Sequence, residues 1–255
     1  MSWSPSQYLK FEDERTRPVR DLVAAIPTRQ AVHAVDLGCG PGNSTEILLA
    51  RYPAAMLTGV DNAADMLAAA GRRLPAQAFE QADIATWQPA GSCDVILANA
   101  SLHWVPNHDT LLPRLVRALS TGGSLAVQMP DNLTEPSHLA MREVAQSGPW
   151  TARLGEAAGD RSEVGTVSWY YALLKPHSAR VDIWRTIYHH VLSDIDGIVE
   201  WFKGSGLRPY LSRLDETEQA AFLGSYRERI AAAYPVQQDG SVLLPFPRLF
   251  MVATR

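Results

Sequence analysis

Glycine recurs at every second position in Gly38, Gly40 and Gly42, just after Asp36 and just before Asn43-Ser44-Thr45. Glycine lets the backbone take positive φ and lie close to a ligand. A helix starting straight after such a loop points N–H groups and its positive dipole end at the same place, which suits a carboxylate or phosphate. Read alone, the run is also compatible with a plain tight turn. A second acid follows in Gly59-Val60-Asp61, and an acid at the end of the next strand holds ribose hydroxyls. A third, Asp83, precedes Ile84; it reads either as a ligand contact or as an ordinary strand-end aspartate. His103-Trp104 follows the apolar run ending at Asn99, and Arg185, Arg208 and Arg248 are scattered through the second half. A guanidinium fork matches a carboxylate bidentately; singly, each of these arginines also reads as a surface or structural residue.

These residues need elements to place them. Val35 and Leu37 alternate before the glycines, and a helical pattern starts at once after them, giving strand, loop and helix. Asn43 is the expected helix cap, with Glu46 three residues on as its capping-box partner. Residues 5–27 read as one or two helices, Pro18 suiting the first turn of the second. Then come a strand at 55–61, a helix at 63–73, a strand at about 76–82 and a strand at 93–99. The carboxyl ends of such strands are where open α/β sheets bind ligands, so Asn99, His103 and Trp104 fall at that edge. A helix at about 108–119 leads through a Gly122-Gly123 turn to a strand at 124–129. The second half is less regular: a helix at 135–147, a loop at 148–166, a helix at 169–174 stopped by Pro176, and an alternating strand at 180–191. Helical patterns fill 193–234, and a last strand spans 241–253. Pro245 and Pro247 mark that strand as an edge or bulged one. The expected fold is α/β: a mostly parallel seven-stranded sheet, helices on both faces, and a helical cap at about 193–235 inserted between the last two strands. The whole reads as one domain, 1–255, with 1–130 the cofactor-binding half and 131–255 the substrate-side half.

The chain has 255 residues and a formal net charge of −4, which gives no basic surface for nucleic acid. Any anionic substrate must therefore be held by local positive charge. Cys39 and Cys93 make no disulfide framework, and no metal-ligand spacing is present. No signal-peptide pattern opens the chain and no apolar run is long enough for a bilayer, so the expectation is a cytoplasmic protein without membrane or metal.

The order acid-Leu-Gly-x-Gly-x-Gly, then Gly59-Val60-Asp61 and Asp83-Ile84, resembles the class I S-adenosylmethionine (SAM) methyltransferases. The resemblance implies a Rossmann-like fold and SAM as cofactor, held by Asp36, Gly38, Gly40, Gly42, Asp61, Asn62, Asp83, Ile84 and Asn99. In it Asp61 takes the ribose hydroxyls, Asp83 the exocyclic amine and Ile84 the adenine ring. A nicotinamide fingerprint would need glycine at 43, where Asn43 stands. The nucleic-acid amino-methyltransferase motif is absent after Asn99. Further stretches are more specific: Arg17-Pro18, Gln128-Met129-Pro130-Asp131-Asn132, Asp182-Ile183-Trp184-Arg185-Thr186 and Phe246-Pro247-Arg248-Leu249-Phe250. With Trp3, Pro5, Tyr8 and Arg15, they resemble the bacterial trans-aconitate methyltransferase family nearly end to end. That implies methyl-ester formation on a small polycarboxylate, with Tyr8, His103, Tyr170, Arg185, Arg208 and Arg248 on the substrate. Where Gln and Asp are the commoner residues of that family, this chain has His103 and Ala172. A carboxylate is ionised at neutral pH, so His103 and Trp104 are expected to position the acceptor rather than to act as acid or base. The competing readings are a methyltransferase for another carboxylic acid or a malonyl thioester, a nicotinamide oxidoreductase, and a SAM-binding protein without catalysis.

Overall fold

The computed structural model describes residues 12–154 and 164–255. Its seven strands are β1 (His33–Leu37), β2 (Met56–Asp61), β3 (Ala78–Gln81), β4 (Cys93–Asn99), β5 (Leu119–Pro130), β6 (Arg180–Leu192) and β7 (Val242–Thr254). They form one sheet in the order β3-β2-β1-β4-β5-β7-β6. The β1–β2, β1–β4, β2–β3 and β4–β5 pairs are parallel. Gly122 N donates to the Arg255 carbonyl at one end of the β5–β7 pair, and Asp131 N to the Pro247 carbonyl at the other, so β7 runs antiparallel to β5. β1 and β4 are buried along most of their length, as parallel strands covered on both faces must be; Val95 to Ala98 of β4 is a continuous apolar run, while β1 carries the buried Asp36.

The helices are α1 (Glu12–Ala24), α2 (Asn43–Arg51), α3 (Ala64–Arg73), α4 (His108–Arg117), α5 (Pro136–Ser147), α6 (Thr151–Leu154), α7 (Val167–Leu174), α8 (Ile195–Lys203), α9 (Arg208–Leu211) and α10 (Glu216–Ala233). The chain divides into two units. The first comprises 12–130, 164–186 and 249–255, and the second 131–154 and 187–248. The core of the first is built from sheet residues such as Leu37, Ile96, Val127 and Met251, with Leu112 and Val116 of α4 and Tyr170 and Leu174 of α7 packed on them. In the second, Trp201, Phe202, Phe222 and Tyr226 are fully buried. Trp150 and Tyr210 pack on Phe222, with ring centroids 5.3 and 5.7 Å away. Asp215 and Glu218 form a capping box at the start of α10, and Asp194 caps α8 through Gly197 N.

Several boundaries differ from the sequence reading, each for a local reason. Pro18 lies inside continuous α1 rather than opening a second helix. Gly42, not Asn43, is the N-cap of α2, at φ 91 with no side-chain cap bond; Glu46 instead pairs with Arg73 at 2.9 Å. Gly122-Gly123 is a bulge inside a longer β5: Cys93 pairs with Leu119 but Val95 with Ser124, so the extra residues bow out of the ladder. Part of the expected 148–166 loop is the short helix α6, and Arg208 opens α9 rather than sitting in a turn. β7 is an interior strand despite its prolines. The Pro247 carbonyl faces Asp131, one residue past the end of β5. Pro245 and Pro247 share that side, so their missing N–H groups face a stretch where the neighbouring strand has ended. Among the described residues no helix is long and apolar enough to cross a membrane, and no cluster of metal-ligating side chains occurs.

Candidate active site

β1 delivers its last residues into the glycine loop at the carboxyl edge of the sheet. Gly38, Gly40 and Gly42 all take positive φ, at 76°, 52° and 91°. Gly38 is the tightest of them: a Cβ there would stand 2.2 Å from the Cβ of Ser101, with the tip of Ile84 at 3.4 Å. So at Gly38 the loop lies against the segment after β4 and against Ile84 with no room for a side chain, whereas a Cβ at Gly40 would meet nothing within 4 Å. Gly38 N and Cys39 N both donate to the Val60 carbonyl, at 2.7 and 3.0 Å, which fastens the loop to the end of β2.

Asp61 ends β2. Its Oδ2 accepts from Gly40 N and its Oδ1 from Ala63 N, both at 2.9 Å. Each oxygen keeps a further lone pair for a hydroxyl donor. Asn62 is exposed beside it, its carbonyl accepting from Gln81 Nε2 at 3.1 Å. Asp83 is exposed, with Oδ1 on Ala85 N at 2.8 Å, and Ile84 is buried. Arg114 of α4 donates to the Ile84 and Ala85 carbonyls at 3.0 and 2.8 Å. Sequence reading missed Arg114, because nothing in the linear chain ties it to a turn thirty residues earlier.

Asp36 lies beneath the loop, fully buried. Its Oδ2 accepts from Ser44 Oγ and Thr45 Oγ1, both at 2.7 Å, which ties β1 to the first turn of α2. Its Oδ1, and the Oδ1 of Asn99 at the end of β4, are buried with no hydrogen-bond partner among the described residues. Burial raises the Asp36 carboxyl to about 6; the Ser44 and Thr45 hydroxyls oppose the shift and the Asp61 charge adds to it. A carboxyl with a raised folded pKa stabilises most below its unfolded value near 3.8, and that contribution is lost as pH rises through about 6. Two pKa units correspond to about 3 kcal/mol. Asp36→Asn is therefore expected to gain stability over the parent as pH rises from 5 to 8. Melting curves across that range check it, and a gap that does not widen with pH would show that the carboxylate carries no burial penalty.

Beyond Asn99, Ala100 is a non-glycine residue at φ 51, and Ser101 Oγ donates to the Leu37 carbonyl at 2.7 Å. The 3-10 turn Leu102–Trp104 follows. His103 is buried, Trp104 is 45% exposed, and their ring centroids are 4.8 Å apart. Tyr170, expected on substrate, is instead 1% exposed in the core of the first unit, its hydroxyl 2.9 Å from His108 Nδ1. Arg185 is exposed on β6. In the second unit, Arg208 is half-buried at the start of α9, and Arg248 is 4% exposed with its guanidinium 4.7 Å above the ring of Phe246. Tyr8 lies outside the described residues.

Orphaned carboxylate and amide oxygens, a positive-φ loop with open space at Gly40 and an acid with spare lone pairs suit a ligand bearing an ammonium and ribose hydroxyls. SAM has both, so the residues of the first unit fit it.

A methyltransferase-domain family model matches residues 34–123. The trans-aconitate 2-methyltransferase of Methylobacterium nodulans is 56% identical over 253 residues, covering 99% of this chain and 98% of that protein. The protein of the same name from Agrobacterium fabrum is 52% identical over 255 residues, covering 100% of each. Among solved structures, a methyltransferase-like protein from Bacillus halodurans superposes with a TM-score of 0.62 at 13% identity, covering 93% of this chain and 98% of that one. A SAM-dependent methyltransferase of Thiobacillus denitrificans in complex with S-adenosylhomocysteine gives 0.54 at 17%, covering 99% and 92%. With this sheet order, these likenesses show the class I methyltransferase fold, and the full-length identities carry the assignment further: the chain belongs to the trans-aconitate 2-methyltransferase family.

Proposed function

We infer that this chain transfers the methyl group of SAM to a carboxylate of trans-aconitate, giving the monomethyl ester and S-adenosylhomocysteine. The observation that carries the reading is identity of 52–56% to proteins of that activity over nearly the whole chain. When bound, SAM supplies an electrophilic methyl on a sulfonium. The chain's residues bind, orient and exclude water. Gly38, Gly40 and Gly42 give the backbone its close approach. Asp61 holds the ribose hydroxyls, Asp83 and Ile84 the adenine, and Asp36, Asn62 and Asn99 complete the cofactor contacts.

An ionised carboxylate attacks the methyl directly and has no proton to lose, so orientation does most of the work. His103 donates a hydrogen bond to the acceptor and Trp104 shapes its surroundings. Arg185, Arg208 and Arg248, with Tyr8, meet the negative charge of a tricarboxylate, which a protein of net charge −4 must offset locally. In this scheme one methyltransferase domain spans the chain, with 1–130 supplying the cofactor contacts and later residues most of the substrate ones. The acceptor is a free small molecule, and the cytoplasm is the compartment where both it and SAM are met.

The deciding experiment is incubation with methyl-labelled SAM and a panel of di- and tricarboxylates, with a malonyl thioester included. Label in a base-labile ester of trans-aconitate is the expected result. Label on the thioester alone would replace this substrate with the competing one. Within the scheme, Asp61→Ala is expected to weaken SAM binding tenfold or more, since a hydrogen bond to a charged group contributes about 1.5–3 kcal/mol. Calorimetry on the folded variant checks it, and an unchanged affinity would remove Asp61 from the cofactor site.

A further inference from the structure

α4 begins with a residue that reaches back over the turn carrying His103 and Trp104. His108 Nε2 lies 2.9 Å from the Leu102 carbonyl oxygen. A carbonyl only accepts, so the neutral ring carries its proton on Nε2 and offers Nδ1 as an acceptor. The Tyr170 hydroxyl, 2.9 Å from Nδ1, therefore donates to it, and the same oxygen accepts from Gly165 N at 3.3 Å. A directed chain of bonds results: Gly165 N–H to Tyr170, Tyr170 O–H to His108, His108 N–H to Leu102. Its far end is rigid, because Tyr170 is 1% exposed within the core cluster that also holds Leu102, Leu111 and Leu174. Its near end is the turn itself, where Trp104 N donates to Ser101 and Val105 N to the same Leu102 carbonyl, at 3.1 and 2.9 Å. Asn107, just before His108, is held at φ 59. A non-glycine residue in that region costs free energy that the surrounding structure must offset, and here it is what turns α4 back toward the turn.

We propose that His108 and Tyr170 are positioning residues for the transfer: they fix the Leu102–Trp104 turn, and so the placement of His103 against the acceptor. This rests on the acceptor lying beside His103, as in the proposed function. Neither side chain touches the reacting atoms. Their effect should fall mainly on turnover, because the glycine loop, although it touches Ser101, is also fastened to the end of β2 by bonds to the Val60 carbonyl and to Asp61 that neither side chain shares.

Three variants separate this role from plain core packing. His108→Leu removes both bonds, His108→Gln keeps an N–H donor for Leu102, and Tyr170→Phe removes only the hydroxyl. Small misplacements of a reacting group cost up to about 100-fold. His108→Leu is expected to lower kcat for trans-aconitate about 10- to 100-fold on that scale, with SAM affinity by calorimetry unchanged. Amide hydrogen exchange in a peptide covering 100–107 should quicken in the same variant. His108→Gln should retain most of the turnover, and Tyr170→Phe should fall between the two. Wild-type kcat or unchanged exchange in folded His108→Leu would overturn the proposal, as would SAM affinity falling in step with kcat. A glutamine variant as impaired as the leucine one would overturn it too, since the Leu102 bond would then not be the link. If the parent enzyme does not methylate trans-aconitate, the proposed function fails instead, and the exchange measurement still reads the coupling of His108 to the turn.

Discussion

Arg248→Ala is expected to lower kcat/KM for trans-aconitate by about 30- to 4,000-fold while leaving SAM affinity in place. The range follows from the cost of removing one partner of a desolvated charge pair, about 2–5 kcal/mol, at tenfold per about 1.4 kcal/mol. Arg248 is the strongest of the three candidate arginines. It is 4% exposed with its guanidinium 4.7 Å from the centre of the Phe246 ring, so it is the most desolvated of the three, and a charge pair made there is screened least by water. Arg248→Lys keeps the charge without the fork and should recover activity only in part. Steady-state kinetics with calorimetry and a melting curve on each variant check the prediction. The corresponding alanine variants of Arg185 and Arg208 rank the remaining contributions. The rate should also be flat where a general base would titrate, since the acceptor is ionised above about pH 5. If all three alanine variants keep the parent kcat/KM, or the rate climbs tenfold per pH unit across neutrality, the acceptor is not a clamped carboxylate.

A single methyl at Gly38 is expected to do comparable damage by a different route. A Cβ there meets the Ser101 Cβ at 2.2 Å and Oγ at 2.9 Å, and φ is +76. The left-handed backbone alone costs about 1–2 kcal/mol for a residue other than glycine, and the overlap forces the loop from the turn for about 1–3 kcal/mol more. Gly38→Ala should lose stability on that scale and bind SAM at least about tenfold more weakly. Ser101→Gly deletes the colliding atoms, so the double variant should bind SAM better than Gly38→Ala alone even though Ser101→Gly gives up the bond to the Leu37 carbonyl. The two sites are in contact, so a non-additive cycle is the expected signature. Additive losses would mean that the loop does not rest on Ser101.

Much of this was readable along the chain. β4 was legible because its apolar centre, Val95 to Ala98, is fully buried between flanking polar Asp94 and Asn99, which mark its limits. The three glycines and Asp61 declared a tight loop between a strand and a helix because their spacing is local, and the loop's positive φ angles and its bond to Asp61 follow that reading. What stayed hidden depends on residues far apart in sequence. Asn43 looks like a cap, but Gly42 already takes the left-handed turn, and Glu46 is drawn to Arg73. Tyr170 looks like a substrate phenol, but its hydroxyl is claimed by His108, sixty-two positions earlier. Pro245 and Pro247 suggested an edge or bulged strand; the condition that lets an interior strand carry them, that β5 stops at Pro130, is a fact about another strand.

The place of β7 has a consequence for how the molecule is made. β6 joins the sheet only through β7, which lies between it and β5. While residues 1–241 have left the ribosome and 242–254 have not, β5 presents an open edge and thirteen-residue β6 has no sheet to join. Both are exposed ladders that another nascent chain could capture. Completion requires a late strand to enter between two early ones, a long-range closure that is slow by its topology. The interval before β7 emerges is thus the window in which chaperone binding or slowed synthesis would decide the yield of native enzyme.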